Sequence, residues 1–349
     1  ILEQKLPQLD TSLIEDVIVG YAQQDLSQSF NMARLVASEA GLPYCVSGMS
    51  LNRFCSSGLQ AIAVAASQIE AGLNQILVAG GVESMTAVPM NIDHSKDLCP
   101  DILKNDPDQY MSMGLTAENV ATRFHVTREE MDAMAVASHA KAAAAQDAGK
   151  FDNEIIALPG VDVDGNAIVF DKDQGIRRGT SMESLSQLKP CFKEDGAVTA
   201  ATSSQVSDGA GFVVLMSEEK AQELGIKPIA KFISFAVAGC EPAFMGLGPI
   251  YAVPKAMKLA GLTIRDMDVI EINEAFAAQA IPCIHELGMD PAKVNPNGGA
   301  MALGHPLGAT GAVLTCKALN ELSRTGGKYA LVTMCVGGGM GAAGIYEMC

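Results

Sequence analysis

Cys45-Val-Ser-Gly-Met-Ser-Leu51 runs directly into Asn52-Arg-Phe-Cys-Ser-Ser-Gly-Leu59, and this stretch decides the fold. Its first part reads as a strand. A long helix of small residues opens near Ser57 and runs toward Ile69, and the buried apolar run Gln75–Ala79 reads as the next strand. Upstream, a strand over Asp16–Val19 and a helix over Asn31–Ala40 continue the plan. Strand–helix–strand order of this kind is the signature of a parallel α/β sheet.

Residues 88–198 differ from that plan. They hold much of the charge, the polar run Asn91–Asp108, the Ala-rich helix Arg128–Ala148 and a turn at Asp164–Gly165. They read as a layer inserted over a core domain, with Asp208–Met216 returning to the first sheet. From Lys227 onward the early plan recurs. Gly58 opens a helix followed by the strand Gln75–Ala79, and Gly311 opens a helix followed at nearly the same spacing by Tyr329–Met334. Matched element order of this kind suggests a duplicated fold.

The chain has 349 residues, of which 48% are hydrophobic, enough for two or three domains. Its net charge of −16 argues against nucleic acid, although local cations and helix N-termini still suit an anionic cofactor. Nine cysteines at wide spacing, with no CxxC pair, point to a reducing compartment rather than a disulfide framework or a metal site. No apolar run is long enough for a membrane span.

Four segments carry chemistry. In Asn52–Leu59 a cysteine sits between a strand and a helix N-terminus, where free N–H groups favour thiolate and can face a developing oxyanion. The alternative for Cys55 is a small buried hydrophobe. Glu271-Ile-Asn-Glu-Ala-Phe-Ala277 follows an apolar strand at Val269–Ile272, and Asn273 alone reads as a helix cap. Asn295-Pro-Asn-Gly-Gly-Ala-Met-Ala-Leu-Gly-His-Pro-Leu-Gly-Ala-Thr-Gly311 is a glycine-rich loop holding His305 between Gly304 and Pro306. A lone loop histidine is more often a surface residue than a base. Thr333-Met-Cys-Val-Gly-Gly-Gly-Met-Gly341 ends a strand on Cys335, read as a tight turn or as a second thiol beside a glycine oxyanion hole.

In this order, the blocks CSSG, NEAFA, NGGAxAxGHPxGxxG and CxGGGxG resemble the thiolase family over essentially the whole chain. The resemblance implies an α/β fold: two similar βαβαβαββ domains in a five-layered αβαβα core, with a loop domain inserted in the first. The domains would be residues 1–87 with 207–226, the insert 88–206, and residues 227–349. It implies that Cys55 becomes acylated, His305 activates it, and Cys335 is a second acid/base. Asn273 would hold a water that, with His305, stabilises an acetyl-CoA enolate. The N–H groups of Cys55 and Gly337 would form the other oxyanion hole.

Coenzyme A would be a co-substrate rather than a resident cofactor, contacted by Arg177 and Ser204, with Met113, Met245 and Phe276 lining the acyl or pantetheine pocket. Ala201-Thr202 stands where the family usually has Gly-Asn, which would shift the pantetheine contacts slightly. Thr202-Ser-Ser-Gln-Val-Ser-Asp208 and Ser112 ahead of Met113 resemble degradative 3-ketoacyl-CoA thiolases more than biosynthetic acetoacetyl-CoA thiolases. The polar loop Asn91–Tyr110 points to a homodimer rather than a tetramer, with membership of a β-oxidation complex also compatible. A decarboxylating ketoacyl synthase would need a histidine or a His-Asn pair in place of Cys335. A non-catalytic acyl-CoA-binding relative would lack one of the four site residues, and all are present. The family also begins with a strand and an Arg-Thr-Pro segment that nothing here matches. The expectation is a central strand of the first sheet ahead of Ile1, and a cytoplasmic location if bacterial, organellar if a leader precedes it.

Overall fold

The computed structural model describes residues 2–90, 92–162 and 164–349, so Asn91, at the head of the expected polar run, lies outside the described residues. Ten strands are present among the described residues: β1 Asp16–Gly20, β2 Ser47–Leu51, β3 Ile76–Ser84, β4 Leu158–Val161, β5 Ala167–Phe170, β6 Asp208–Met216, β7 Ala230–Gly239, β8 Val269–Ile272, β9 Tyr329–Val336 and β10 Met340–Met348. One sheet has the order β2-β1-β3-β6 and another β7-β10-β9-β8, with β4 and β5 forming a separate hairpin. In the first sheet β1 pairs in parallel with β2 and β3, while β6 returns antiparallel beside β3. In the second, β8 and β9 are parallel and β10 runs antiparallel between β9 and β7. The β3–β6 pair thus corresponds to β9–β10, and the expected duplication is visible in the hydrogen-bond pattern.

Two details differ from expectation. The strand predicted over Gln75–Ala79 extends to Ser84, because the Gly80-Gly81 pair continues the ladder against Phe212 and Gly211 of β6. The strand that opens the second sheet, β7, lies at its edge beside β10. A third parallel strand in the second sheet is reduced to a single bridge, Ile270 to Val294.

Burial on both faces of each sheet produces five layers. On β1, Val17 and Val19 pack outward against Ala33 and Ala37 of the helix Met32–Glu39, while Ile18 packs inward against Ala61, Ile62 and Ala65 of the helix Ser57–Glu70. In the second sheet Ile270, Ile272 and Ile345 meet Ala252, Val253 and Ala256 of the helix Gly248–Ala260. Val332, Met334 and Ala342 face Leu314, Ala318 and Leu322 of the helix Thr310–Thr325. The two central helices therefore pack on each other between the sheets. A Cβ on Gly58 would lie 2.8 Å from the Gly308 oxygen, and one on Gly311 would lie 2.5 Å from the Leu59 nitrogen. Glycine at both openings is what lets the backbones approach, and it brings the two helix N-termini together.

The segment between β3 and β6 covers one end of these layers. Its long helix, Arg128–Asp147, starts at a capping box in which the Thr127 hydroxyl accepts the Glu130 N–H at 3.2 Å and the Glu130 carboxylate accepts the Thr127 N–H at 2.8 Å. Its buried face meets the second sheet's loops through Met131, Ala135, Ser138 and Ala142.

Candidate active site

Cys55 lies in the tight turn Phe54–Ser56 that enters the first central helix. Phe54 adopts φ 43°, a left-handed conformation that costs a bulky residue on the order of 1–3 kcal/mol and persists only where the surroundings enforce it. Asn52 supplies part of that enforcement: its side-chain oxygen accepts the Phe54 N–H at 2.7 Å and its amide donates to the Ala22 carbonyl at 2.9 Å. The Ser57 hydroxyl donates to the Phe54 carbonyl at 2.7 Å and accepts the Arg53 N–H at 2.8 Å. The conspicuous block around the cysteine is therefore largely a scaffold that presents one sulfur.

That sulfur is buried, with 2% exposure, and the N–H groups of Gly337 and of Cys55 itself act to lower its pKa. The expectation that the helix N-terminus would lower its pKa is corrected. Burial outweighs the two N–H groups and pushes the thiol up to about 11, with the Glu83 charge adding in the same direction. The resting group is a neutral thiol.

His305 is buried rather than on the surface, and burial pulls its pKa down to about 4, so the imidazole is neutral. Nδ1 lies 2.5 Å from the Thr310 hydroxyl, and Nε2 lies 3.3 Å from the Asn273 amide nitrogen. With Asn273 donating to Nε2, the proton sits on Nδ1 and points at Thr310, leaving a lone pair on Nε2. The His305 N–H donates to the Ser207 hydroxyl at 3.2 Å. A Cβ on the preceding residue, Gly304, would collide with that hydroxyl, and Gly304 also needs φ 91°.

Asn273 does not cap a helix; the following helix begins at Ala277 with Phe276 as its cap. It instead extends β8, donating its N–H to the Thr333 carbonyl at 3.0 Å, and its buried side-chain oxygen has no protein partner. Cys335 lies one residue from the end of the neighbouring strand β9, is fully buried, and has a pKa pushed well above that of a free thiol by burial and by the nearby Cys55. The Cys55 turn packs against the end of β9 and against the turn Leu307–Ala309 that follows His305. Two thiols, a neutral imidazole, an amide and two inward N–H groups thus share one enclosed place at the meeting of the two halves.

The other predicted residues fall around it. Met113, Met245, Phe276 and Cys335 belong to one apolar cluster, in which the ring of Phe192 meets Phe276 edge-on at 5.8 Å and 82°. Arg177 lies farther out, lining a cleft of about 220 Å³ with Thr180, Ser184, Ala201 and Gln205. Met301 joins that cleft to the cluster around Cys335. Ser204 donates its N–H to the Ala275 carbonyl at 2.9 Å, beside the same path.

Three positioning residues were not singled out in the sequence. Glu83 on β3 is buried and accepts the N–H groups of Ala22 at 2.7 Å, Gln23 at 3.1 Å and Gly308 at 2.8 Å, plus the Gln28 amide at 2.7 Å. Glu274 accepts from Ser138 at 2.7 Å and Asn295 at 2.8 Å, which fixes the loop before His305. Thr310 orients the imidazole through Nδ1. Glu274 and Thr310 lay inside the quoted blocks. Glu83 carried only the weak signal of an acid closing an apolar strand.

Residues 2–219 match the thiolase N-terminal domain family and residues 226–348 the thiolase C-terminal domain family. The chain is 49% identical over 344 residues to a 3-ketoacyl-CoA thiolase of Bacillus subtilis, covering 96% of this chain and 88% of that protein. It is 46% identical to the peroxisomal 3-ketoacyl-CoA thiolase 2 of Arabidopsis thaliana, over 97% of this chain and 75% of that one. The crystal structure of the Bacillus anthracis acetyl-CoA acetyltransferase superposes with a TM-score of 0.92 at 38% identity, covering 100% of this chain and 91% of that one. The duplicated five-layer core and these matches over nearly the full length place this chain in the thiolase family.

Proposed function

We propose that this chain catalyses CoA-dependent cleavage of 3-ketoacyl-CoA to acetyl-CoA and an acyl-CoA shortened by two carbons, through an acyl-Cys55 intermediate. The observation that carries the reading is the convergence of Cys55, His305, Asn273 and Cys335 in one buried place. The Cys55 sulfur attacks the 3-keto carbon as its proton passes to Nε2 of His305. Because the resting pair is neutral, this transfer accompanies attack. The resulting oxyanion takes the N–H groups of Cys55 and Gly337. Removing one such donor typically costs roughly 10²–10³ in rate. Breaking the bond between C2 and C3 leaves an acetyl-CoA enolate whose oxygen is met by His305 and a water held by Asn273. Its carbon takes a proton from Cys335. A second CoA thiol returns a proton to Cys335 and attacks the acyl-enzyme, and as the shortened acyl-CoA leaves, the Cys55 sulfur takes back its proton from His305.

The cleft at Arg177 and Ser204 supports CoA entry along the inserted segment 88–206, with Met113, Met245 and Phe276 against the pantetheine or acyl chain. Relatives at 46–49% identity that bear the 3-ketoacyl-CoA thiolase name favour the degradative activity over acetoacetyl-CoA synthesis. A homodimer is supported by β2, whose outer edge is unpaired among the described residues, and by the exposed Phe30 and Tyr44 nearby. No helix among the described residues is long and apolar enough to cross a membrane.

Thiolysis measured across 3-ketoacyl-CoAs of four to sixteen carbons, with Cys55→Ala as control, tests the assignment. Turnover that depends on Cys55 and on free CoA is expected. Tight acyl-CoA binding without turnover would replace the enzyme reading with a binding protein, and activity confined to the four-carbon substrate would favour the acetoacetyl-CoA reading.

A further inference from the structure

Behind the loop that carries His305 lies a cavity the reaction does not use. It measures about 540 Å³ and opens between the helices Arg128–Asp147 and Ala277–Glu286, with residues 288–294 on its third side. That volume is within the range of small-molecule sites. Met134, Ala137, Ile281, Ile284 and Met289 make its walls apolar.

One cation breaks those walls. Lys141 is half-buried, and its ammonium donates to the Val294 carbonyl at 3.0 Å. Two of its three protons stay available, and it forms no ion pair among the described residues. Glu274 is near enough for the Lys141 charge to act on it, but the two make no direct ion pair; in a chain with 40 acidic and 24 basic residues, a cation at an apolar wall with no direct ion pair can seat a further anion. The one acid lining the cavity, Glu274, is already engaged by the Ser138 hydroxyl at 2.7 Å, the Asn295 amide at 2.8 Å and the Met301 N–H at 3.4 Å.

We propose that this cavity binds a small aliphatic carboxylate, its alkyl chain against Ile281, Ile284 and Met289 and its carboxylate on Lys141, and that occupancy adjusts turnover. The coupling runs through Ser138, which lines the cavity, donates to Glu274 and accepts the Gly299 N–H at 3.0 Å. Those bonds hold residues 295–301, the approach to His305.

Octanoate and its neutral analogue octanamide are the probes, applied to the full chain saturated with CoA so that the substrate cleft is occupied. Octanoate is expected to shift the ε-methyl resonances of Met134 and Met289 saturably and to leave Met245 unmoved. Lys141→Met should weaken octanoate at least tenfold and octanamide little, and Ala137→Trp should abolish both shifts. The kcat of thiolysis should change with the same saturation curve. Absence of saturable Met134 and Met289 shifts, or equal affinity in Lys141→Met, would overturn the site. Saturable shifts with constant kcat would overturn the coupling. The methyl readout does not depend on thiolase chemistry, so its failure is distinct from failure of the proposed activity.

Discussion

Glu83 accepts the Gly308 N–H at 2.8 Å across 225 positions of sequence, and this bond ties the strand that ends the first parallel array to the turn just after His305. The same carboxylate gathers the N–H groups of Ala22 and Gln23 and the Gln28 amide. An amide at this place has one acceptor oxygen and turns its NH₂ toward N–H donors. Glu83→Gln should therefore lower stability by about 3 kcal/mol, the scale of leaving buried donors unpaired. It should also reduce kcat more than tenfold with KM little changed. Denaturant unfolding and steady-state kinetics on the same preparation check this; wild-type kcat in a folded variant would remove Glu83 from the positioning role.

Thr310 accepts the Nδ1 proton of His305 through a contact of 2.5 Å and so orients the ring. Thr310→Val keeps the volume and removes the acceptor. We expect kcat to fall roughly 10²-fold, the scale of a small misplacement of a catalytic group, with Thr310→Ser recovering most of it. Equal activity of the valine and serine variants would show that the ring is oriented by other contacts.

Because burial holds the Cys55 thiol up at about 11, alkylation of the free enzyme by iodoacetamide should accelerate steadily from pH 7 to 10 without a plateau. A thiolate–imidazolium pair would instead give a plateau by about pH 7. Mass spectrometry of the Cys55 peptide over a pH series separates the two.

His305 is held neutral, its pKa lowered from 6.5 to about 4. Between those values the unfolded chain binds a proton that the native state refuses, so stability falls as pH drops from 6.5 to 4 and this contribution is exhausted below 4. The loss amounts to about 3 kcal/mol. The stability difference between wild type and His305→Asn should shift by that amount over this window. A constant difference would show that the imidazole is not so strongly desolvated.

Glu271 on β8 is fully buried, neither carboxylate oxygen has a partner, and burial raises its pKa to about 8. Here the native state holds a proton that the unfolded chain releases between pH 4.5 and 8, so its penalty grows as pH rises through that window. Glu271→Gln should stabilise the protein by about 3 kcal/mol at pH 7 and leave it nearly unchanged at pH 4.5. Thermal unfolding at both values tests the sign, and destabilisation at pH 7 would point to an ionised Glu271.

Local features were legible wherever the chemistry was local. Ile18 between Val17 and Val19, the small-residue helix after Cys55 and the matching opening at Gly311 give the strand–helix plan and its repetition, because burial on two faces and close helix packing restrict residue type position by position. Cys55, Asn273, His305 and Cys335 were legible as residue types at strand and helix ends. Their protonation was not. Cys55 sits at a helix N-terminus that favours thiolate, yet both halves of the molecule close over it, and desolvation, a property of the assembled core, wins. The partners were equally hidden. Glu83 and Gly308, Ser207 and His305, and Ser138 and Glu274 meet only once the two sheets and the inserted helix are stacked. By itself the sequence determined the elements, their duplication and the reactive groups. The tertiary structure decided charge state, tautomer and placement, because these depend on burial and on hydrogen bonds between residues far apart along the chain.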